Sequence, residues 1–441
     1  MPSSITDNSP TPTIREEKPV GDDLESGGTS KLTSSLEPPD GGLDAWLTIL
    51  GTSMVSFATF GIVNGYGAFN DYYETTYLSN YSATLISLIG AIQAPCLTRL
   101  VRDFLLLYTL LGVLHAYVGP RYIIPASGVI SAFALFMLSI TKPQQIYQQY
   151  LTQAILFSLG ATFSFFPSFA VCAHWFKRRI AFAMGFPAAA ASLGGVLYPI
   201  MLERLIPRIG FGWTIRVLAF VVLLCFIIAT FTIKVRRPAK PLPRLSQLLA
   251  FRAFRDPIYL CLCLGGWFSV TSTFNPFFYV SVYGSDANGG PSFLTPYYLS
   301  IMTATAILGR IAPGFIADRV GKFNVIAVST TLSGVLILAL WYTSSAQPNL
   351  IAFAAIYGVV SGPFFAVLSR SELASEWLSS SSALAGTPIG GVFISNETLP
   401  NFRHLILFSG VIALVGSGFF WVARFIRSRK LFEAILNSGL G

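Results

Sequence analysis

The sequence predicts an all-α integral membrane protein, with twelve transmembrane helices in two pseudo-symmetric bundles of six, on three observations. Of 441 residues, 53% are hydrophobic and 11% charged, and mean hydropathy is +0.63, more apolar surface than a water-facing globular chain hides. Apolar runs of about 20 residues, enough to cross a hydrocarbon core of about 30 Å, recur from Trp46 to Phe425. A basic, proline-containing stretch, 234-KVRRPAKPLPRLSQLLAFRAFRDP-257, divides these runs six and six, as a cytosolic linker between two halves would.

Residues 1–44, rich in Ser, Thr, Pro and acidic residues, hold no apolar run that could form a signal-peptide core and are expected to be a disordered cytosolic tail. The spans are expected at 45–69, 84–118, 122–140, 148–172, 180–202, 213–233, 257–280, 296–316, 323–343, 350–369, 381–396 and 404–427, the second and eleventh irregular. This gives an N-terminal bundle over 45–233, a linker over 234–256, a C-terminal bundle over 257–427 and a cytosolic tail over 428–441. With the N-terminus inside, eighteen Lys and Arg residues fall on inner loops and the C-terminal tail, and four (Lys142, Arg204, Arg208, Arg403) fall outside, the bias of the positive-inside rule. Membrane-flanking loops therefore account for the net charge of +9, and no nucleic-acid partner is implied. Asn80 and Asn396 head Asn-x-Ser/Thr motifs on the outer side and are candidate glycosylation acceptors.

Several chemistries are disfavoured. The five cysteines lie in or beside apolar helices without a Cys-x-x-Cys pair, and read as small buried hydrophobes. The three histidines, His115, His174 and His404, are scattered and no His-Glu-x-x-His occurs, so no catalytic residue, metal site or cofactor is expected and the chain is not read as an enzyme. A phosphate-binding Gly-x-x-x-x-Gly-Lys-Ser/Thr loop is absent from the sequence, which argues against an ATP-driven pump. The run 63-VNGYG-67 appears once, inside a full-length span, unlike a channel filter.

Two motifs carry a resemblance. The turn 314-GFIADRVGK-322 resembles the Gly-x-x-x-Asp-Arg-x-Gly-Arg/Lys signature of the major facilitator superfamily. The stretch 38-PPDGG-42 is similar to the opening motif of its monocarboxylate transporter family, and 60-FGIVNGYGAFNDYYE-74, 175-WFKRRIAFAMG-185, 194-GGVLYPIMLERLIPRIGFGW-213, 274-FNPFFYV-280 and 386-GTPIGG-391 resemble fungal members. The resemblance implies the major facilitator fold and transport of a small organic solute by alternating access, with the lipid bilayer as the other partner. A monomer in the plasma membrane, or in a vacuolar or other internal membrane, is implied with it. In the signature, Gly314 leaves room for close helix packing, Asp318 can accept hydrogen bonds from a neighbouring helix N-terminus or pair with a basic residue, and Arg319 and Lys322 meet the anionic inner leaflet, with Gly321 in the turn. Such a clasp gates the cytosolic side. The equivalent turn after span 2, 112-GVLHAYVGPRY-122, has His115, Ala116 and Tyr117 where the family places its Asp-Arg pair. Upstream, 94-APCLTRLVRD-103 reads as an insertion in the span, and span 11 is shorter than in fungal relatives.

Arg310 stands eight residues before Asp318, about 12 Å along a helix, which places it near the bilayer midplane where transporters of this architecture bind substrate. Its planar fork suits a carboxylate or another planar acceptor; the alternative is a structural arginine satisfied by backbone carbonyls or a neighbouring helix. Asn64 and Tyr66 on span 1 and Asn275, Phe278 and Tyr279 on span 7 are further substrate-binding candidates, each also readable as a helix-packing residue. In the animal carriers for which the family is named, an aspartate one turn before this arginine and a lysine on span 1 assist it. Here those positions are Ala306 and Asn64, which weakens proton coupling and shifts the expected solute from lactate toward a larger or less acidic organic molecule. A non-transporting sensor that keeps the shell is the competing reading.

Overall fold

The computed structural model describes residues 38–82, 85–90, 92–93, 120–236, 256–287, 297–368 and 399–438, and among these every regular element is helical. The expected N-terminal tail through residue 37, the insertion 94–103, the turn from 112 to 119, most of span 2, all of span 11 and most of the linker lie outside the described residues, and so does Asn396. The helices belong to one packed unit, Pro39–Gly441.

The burial pattern is that of a protein solvated by lipid. Phe133, Leu151, Leu197, Phe220, Leu224, Phe231 and Phe425 are exposed, whereas Thr48, Thr52, Ser56, Ser127, Ser131 and Ser168 are buried. Small hydroxyl residues let helices approach closely where no water drives association. Several of them return their protons to carbonyls of their own helix, as from Thr48 to Asp44 at 2.8 Å, Thr52 to Thr48 at 2.9 Å and Ser53 to Ile49 at 2.7 Å. Seven helices among the described residues are long and apolar enough to cross a membrane by length and composition.

Span 1 is built from α1 (Leu43–Ala58), α2 (Phe60–Asn64), α3 (Tyr66–Tyr72) and a π turn over Tyr73–Tyr77. It breaks at Thr59 (φ −104°, ψ −75°) and Gly65 (φ −86°, ψ 3°) and runs eight residues past its expected end at 69. Those extra turns carry Tyr72, Tyr73 and Tyr77, whose rings close around Phe211 at centroid distances of 5.4, 6.1 and 4.6 Å, so tertiary packing holds a helix that hydropathy alone would end.

Span 3 is α4 (Pro120–Ser139), and span 4 is α5 (Ile146–Gln149), a π segment over Tyr150–Phe157 and α6 (Ser158–Cys172). Spans 5 and 6 lie in the run Ile180–Thr232, labelled α7, in which two helices meet at a kink at Gly210. A loop is expected between them at 203–212, yet only Gly210 leaves helical geometry (φ 77°, ψ 164°). That conformation is accessible mainly to glycine, and it turns the chain so that Phe211 enters the tyrosine cluster. The C-terminal spans are α8 (Pro257–Ala287), α9 (Tyr297–Val320), α10 (Lys322–Leu336) continued by a π turn over Ile337–Trp341, α11 (Gln347–Leu368) and α12 (Leu399–Ser438). Helices α8, α9 and α12 overrun the expected ends because hydropathy marks the edge of the hydrocarbon, not the end of the helix.

The first part of α7 lies between α1–α2 and α9; α12 packs on α8 and α10, and α11 on α9. Along the α7–α9 seam the chains run antiparallel. A Cβ on Gly314 would stand 2.7 Å from the Ala181 carbonyl oxygen, one on Gly185 would stand 2.7 Å from that of Arg310, and one on Gly195 would meet the Thr303 side chain at 3.2 Å. Arg204 Nη2 donates to the Tyr297 hydroxyl at 3.3 Å at the far end. From residue 181 to 204 is about 35 Å of helix, so the seam crosses the membrane.

Candidate functional site

Each interruption in span 1 has a role in the site. The short α2 between Thr59 and Gly65 brings Val63 and Asn64 to a cavity that also touches Gly67, and Phe274, Phe277 and Phe278 of α8 and Arg310 of α9 complete its wall. Broken helices of this kind form substrate sites where transporter halves meet. The cavity is small, for the centre of a water-sized sphere can occupy only about 10 Å³ of it.

Arg310 is 4% exposed and lies thirteen residues from the start of α9 and ten from its end. Its Nη1 donates to the carbonyl of Ala188 on α7 at 2.6 Å, one helical turn beyond Gly185, whose missing side chain permits the backbones to approach. The guanidinium therefore borders the cavity and joins α9 to α7 at once. Asn64 lines the same space, and its Nδ2 donates to the Ala191 carbonyl at 3.2 Å.

Among the sequence candidates, Arg310, Asn64 and Phe278 line the cavity. Tyr66 is buried, with its hydroxyl donating to the Ile86 carbonyl at 2.9 Å, and stands across the Gly65 break from Asn64. Asn275 is buried and its Nδ2 donates to Ser409 Oγ on α12 at 2.8 Å. Tyr279 is half-buried within electrostatic range of Glu74. Val63, Gly67, Phe274 and Phe277 were missed, although Phe274, Phe277 and Phe278 follow the i, i+3, i+4 spacing of one helical face. Glu74 was missed as well, because span 1 was expected to end before it; it accepts from Asn70 Nδ2 at 2.8 Å.

At the signature turn, Asp318 Oδ1 accepts from the backbone N–H of Ala181 at 3.3 Å and Oδ2 from that of Phe182 at 3.0 Å. Arg179, the N-cap of α7, supplies no side-chain cap, so these donors, orphaned by the helix start, are taken by a carboxylate from α9. Arg319 stacks over the Phe315 ring at 4.2 Å. Gly321 (φ 100°) caps α10, which Lys322 opens. Asn80 is exposed in the turn after span 1, its N–H donating to Gln144 Oε1 at 3.3 Å.

A cation-bearing cavity enclosed within crossing helices, with an interhelix clasp at one end of the seam, is the arrangement of a membrane carrier. The chain belongs to the major facilitator superfamily, whose profile matches residues 45–375, and it is a multi-pass transporter. It is similar to the MFS transporter asaE of Aspergillus flavus (33% identity over 402 residues, 88% of each chain). It is similar also to the agnestins efflux protein AgnL12 of Paecilomyces divaricatus (34% over 430 residues, 92% of this chain and 94% of the other) and to the aspyridones efflux protein apdF of Emericella nidulans (30% over 396 residues, 86% and 77%). The fold is shared with the crystal structure of nucleoside transporter NupG, at TM-score 0.60 and 14% identity over 85% of this chain and 98% of that one. The expected tie to monocarboxylate carriers is thereby reduced to the superfamily, since these relatives are fungal transporters, two of them named for efflux.

Proposed function

We propose that the chain exports an organic metabolite bearing a carboxylate or carbonyl group, by alternating access between bundles 45–233 and 257–427, with Arg310 as the polar anchor. The observation that carries this reading is the buried guanidinium at the wall of the central cavity. A charge at mid-membrane is costly, and its usual justification is function. The three phenylalanines beside it suit an apolar or aromatic solute body, and Asn64 offers a neutral polar contact. Known ligand sites enclose about 300–1,000 Å³, so a cavity this small fits a contracted state that must widen to load its solute. Efflux in the names of the relatives supports the outward direction, and the plasma membrane is the natural site for it. Ala306 and Asn64, which carry no charge, leave Arg310 without the family's proton-loading group on α9, so transport should depend weakly on a pH gradient.

The test is solute counterflow in liposomes containing the purified protein, screened over carboxylate- and carbonyl-bearing metabolites with and without a pH gradient. Saturable flux supports the carrier; saturable binding without flux would instead make the chain a sensor.

A further inference from the structure

The Asp318 clasp acts on the first turn of α7, and a second carboxylate holds the segment immediately before that turn. Asp40, from the stretch 38-PPDGG-42, accepts through Oδ1 from the backbone N–H of Lys177 at 2.5 Å and of Arg178 at 2.8 Å, while its own N–H donates to the Trp175 carbonyl at 3.0 Å. Its φ of 54° is left-handed, a conformation that Asp, Asn and Gly tolerate best. Burial alone would raise this carboxyl, but the N–H groups of Lys177, Arg178 and Arg179 and the charge of Arg178 outweigh it and hold it below its ordinary value of 3.8, so the group is ionised at cytosolic pH. Two neighbours brace the same segment: Trp46 packs edge-on to Phe176, Phe182 and Phe186 at 5.6, 6.4 and 5.5 Å, and Trp175 Nε1 donates to the Lys234 carbonyl at 2.9 Å.

We infer that Asp40 is a positioning residue of the cytosolic closure: it fixes 177–178 so that the N–H groups of Ala181 and Phe182 are presented to Asp318. Two acids from distant parts of the chain thus grip consecutive donors on one six-residue stretch. Asp40 touches neither the cavity nor Asp318, so its effect on gating must pass through that stretch. Such an arrangement couples the approach to span 1 to the contact between α7 and α9. The inference rests on reading the Asp318 contact as the cytosolic closure.

The experiment introduces Val63→Cys at the cavity wall and measures its modification by a membrane-impermeant maleimide applied to inside-out vesicles, against protein without the reporter. Asp318→Asn should raise the rate; if it does not, the closure reading itself fails. Asp40→Gly, which removes the carboxylate and keeps the left-handed φ, should raise the rate by roughly two- to tenfold, the range for losing a typical intramolecular hydrogen bond. Asp40→Asn, which keeps one acceptor oxygen, should fall between parent and Asp40→Gly. Because both acids act through one stretch, the double variant's rate increase should fall short of the product of the two single effects. If Asp318→Asn accelerates labelling while Asp40→Gly lowers thermal stability without changing the rate, or if the effects multiply independently, Asp40 is a structural cap and the inference is wrong.

Discussion

The two ends of the α7–α9 seam are closed by different chemistry. At the Asp318 end a carboxylate accepts two backbone N–H groups beside a backbone contact that only a glycine permits. At the other end, among the described residues, Arg204 Nη2 donates to the Tyr297 hydroxyl in an exposed hydrogen bond of 3.3 Å. Charge-assisted bonds to helix-terminal donors are the stronger kind, whereas a single exposed polar contact between long side chains contributes little. On the proposed export reading, easier separation at the Arg204 end than at the Asp318 end is the bias that outward release of the solute would need. A separate outer element, the Tyr72–Tyr73–Tyr77 cluster around Phe211, packs within the N-terminal spans and leaves this asymmetry in place.

The comparison can be broken at several points. Replacing Phe211, which is 8% exposed, by Ala should destabilise the protein by roughly 3–5 kcal/mol, as for other core phenylalanines. Thermal unfolding should show this loss while cytosolic labelling of a cavity cysteine stays at the parent rate. Gly185→Ala forces a Cβ to 2.7 Å from a backbone carbonyl, and its strain of roughly 1–3 kcal/mol should separate α7 from α9 at Arg310, lowering both flux and melting temperature. Asp318→Ala should cost about 0.5–2 kcal/mol of cytosolic closure, and Arg204→Ala less than about 1 kcal/mol of outer closure. Equal gains in labelling from the two sides of the membrane would remove the asymmetry. The smallest effect concerns pH. Because the folded Asp40 carboxyl is held below its ordinary 3.8, its contribution is fully present above that value and is lost only as pH falls through the lowered one. The difference in melting temperature between parent and Asp40→Asn should therefore stay constant from pH 8 to 5, and a difference that shrinks over this window would mean that Asp40 is not held as described.

What the sequence revealed depended on which force left a one-dimensional trace. Hydropathy located the spans because lipid exposure selects residue type along the chain, but it ended span 1 at 69, since the turns that hold Glu74 are kept by aromatic contacts with a residue more than 130 positions away. The signature turn was legible because one segment carries Gly314, Asp318 and Gly321 at fixed spacing; the donors to Asp318 are the backbone N–H groups of Ala181 and Phe182, which no side chain marks. Arg310 was legible as a rare charge in an apolar helix, whereas its Ala188 partner is a backbone carbonyl. Tyr66 and Asn275 were proposed for the cavity on residue type, and the Tyr66 hydroxyl is taken by the Ile86 carbonyl instead. For α8 the face of Phe274, Phe277 and Phe278 is centred away from Asn275, which serves the contact with α12 instead. Asp40 could be read as part of a motif, but its hold on 177–178 joins segments that only the fold brings together.

The most direct test is flux through Arg310 variants in liposomes, with protein amount and melting temperature measured on the same preparations. Arg310→Lys keeps the charge and loses the planar fork, so losing a charge-assisted bond of roughly 1.5–3 kcal/mol should weaken apparent solute affinity about ten- to a hundredfold. Arg310→Ala should abolish flux. Normal saturable flux by correctly inserted Arg310→Ala protein would reduce the arginine to a strut between α9 and the Ala188 carbonyl and contradict its assignment as the solute's anchor.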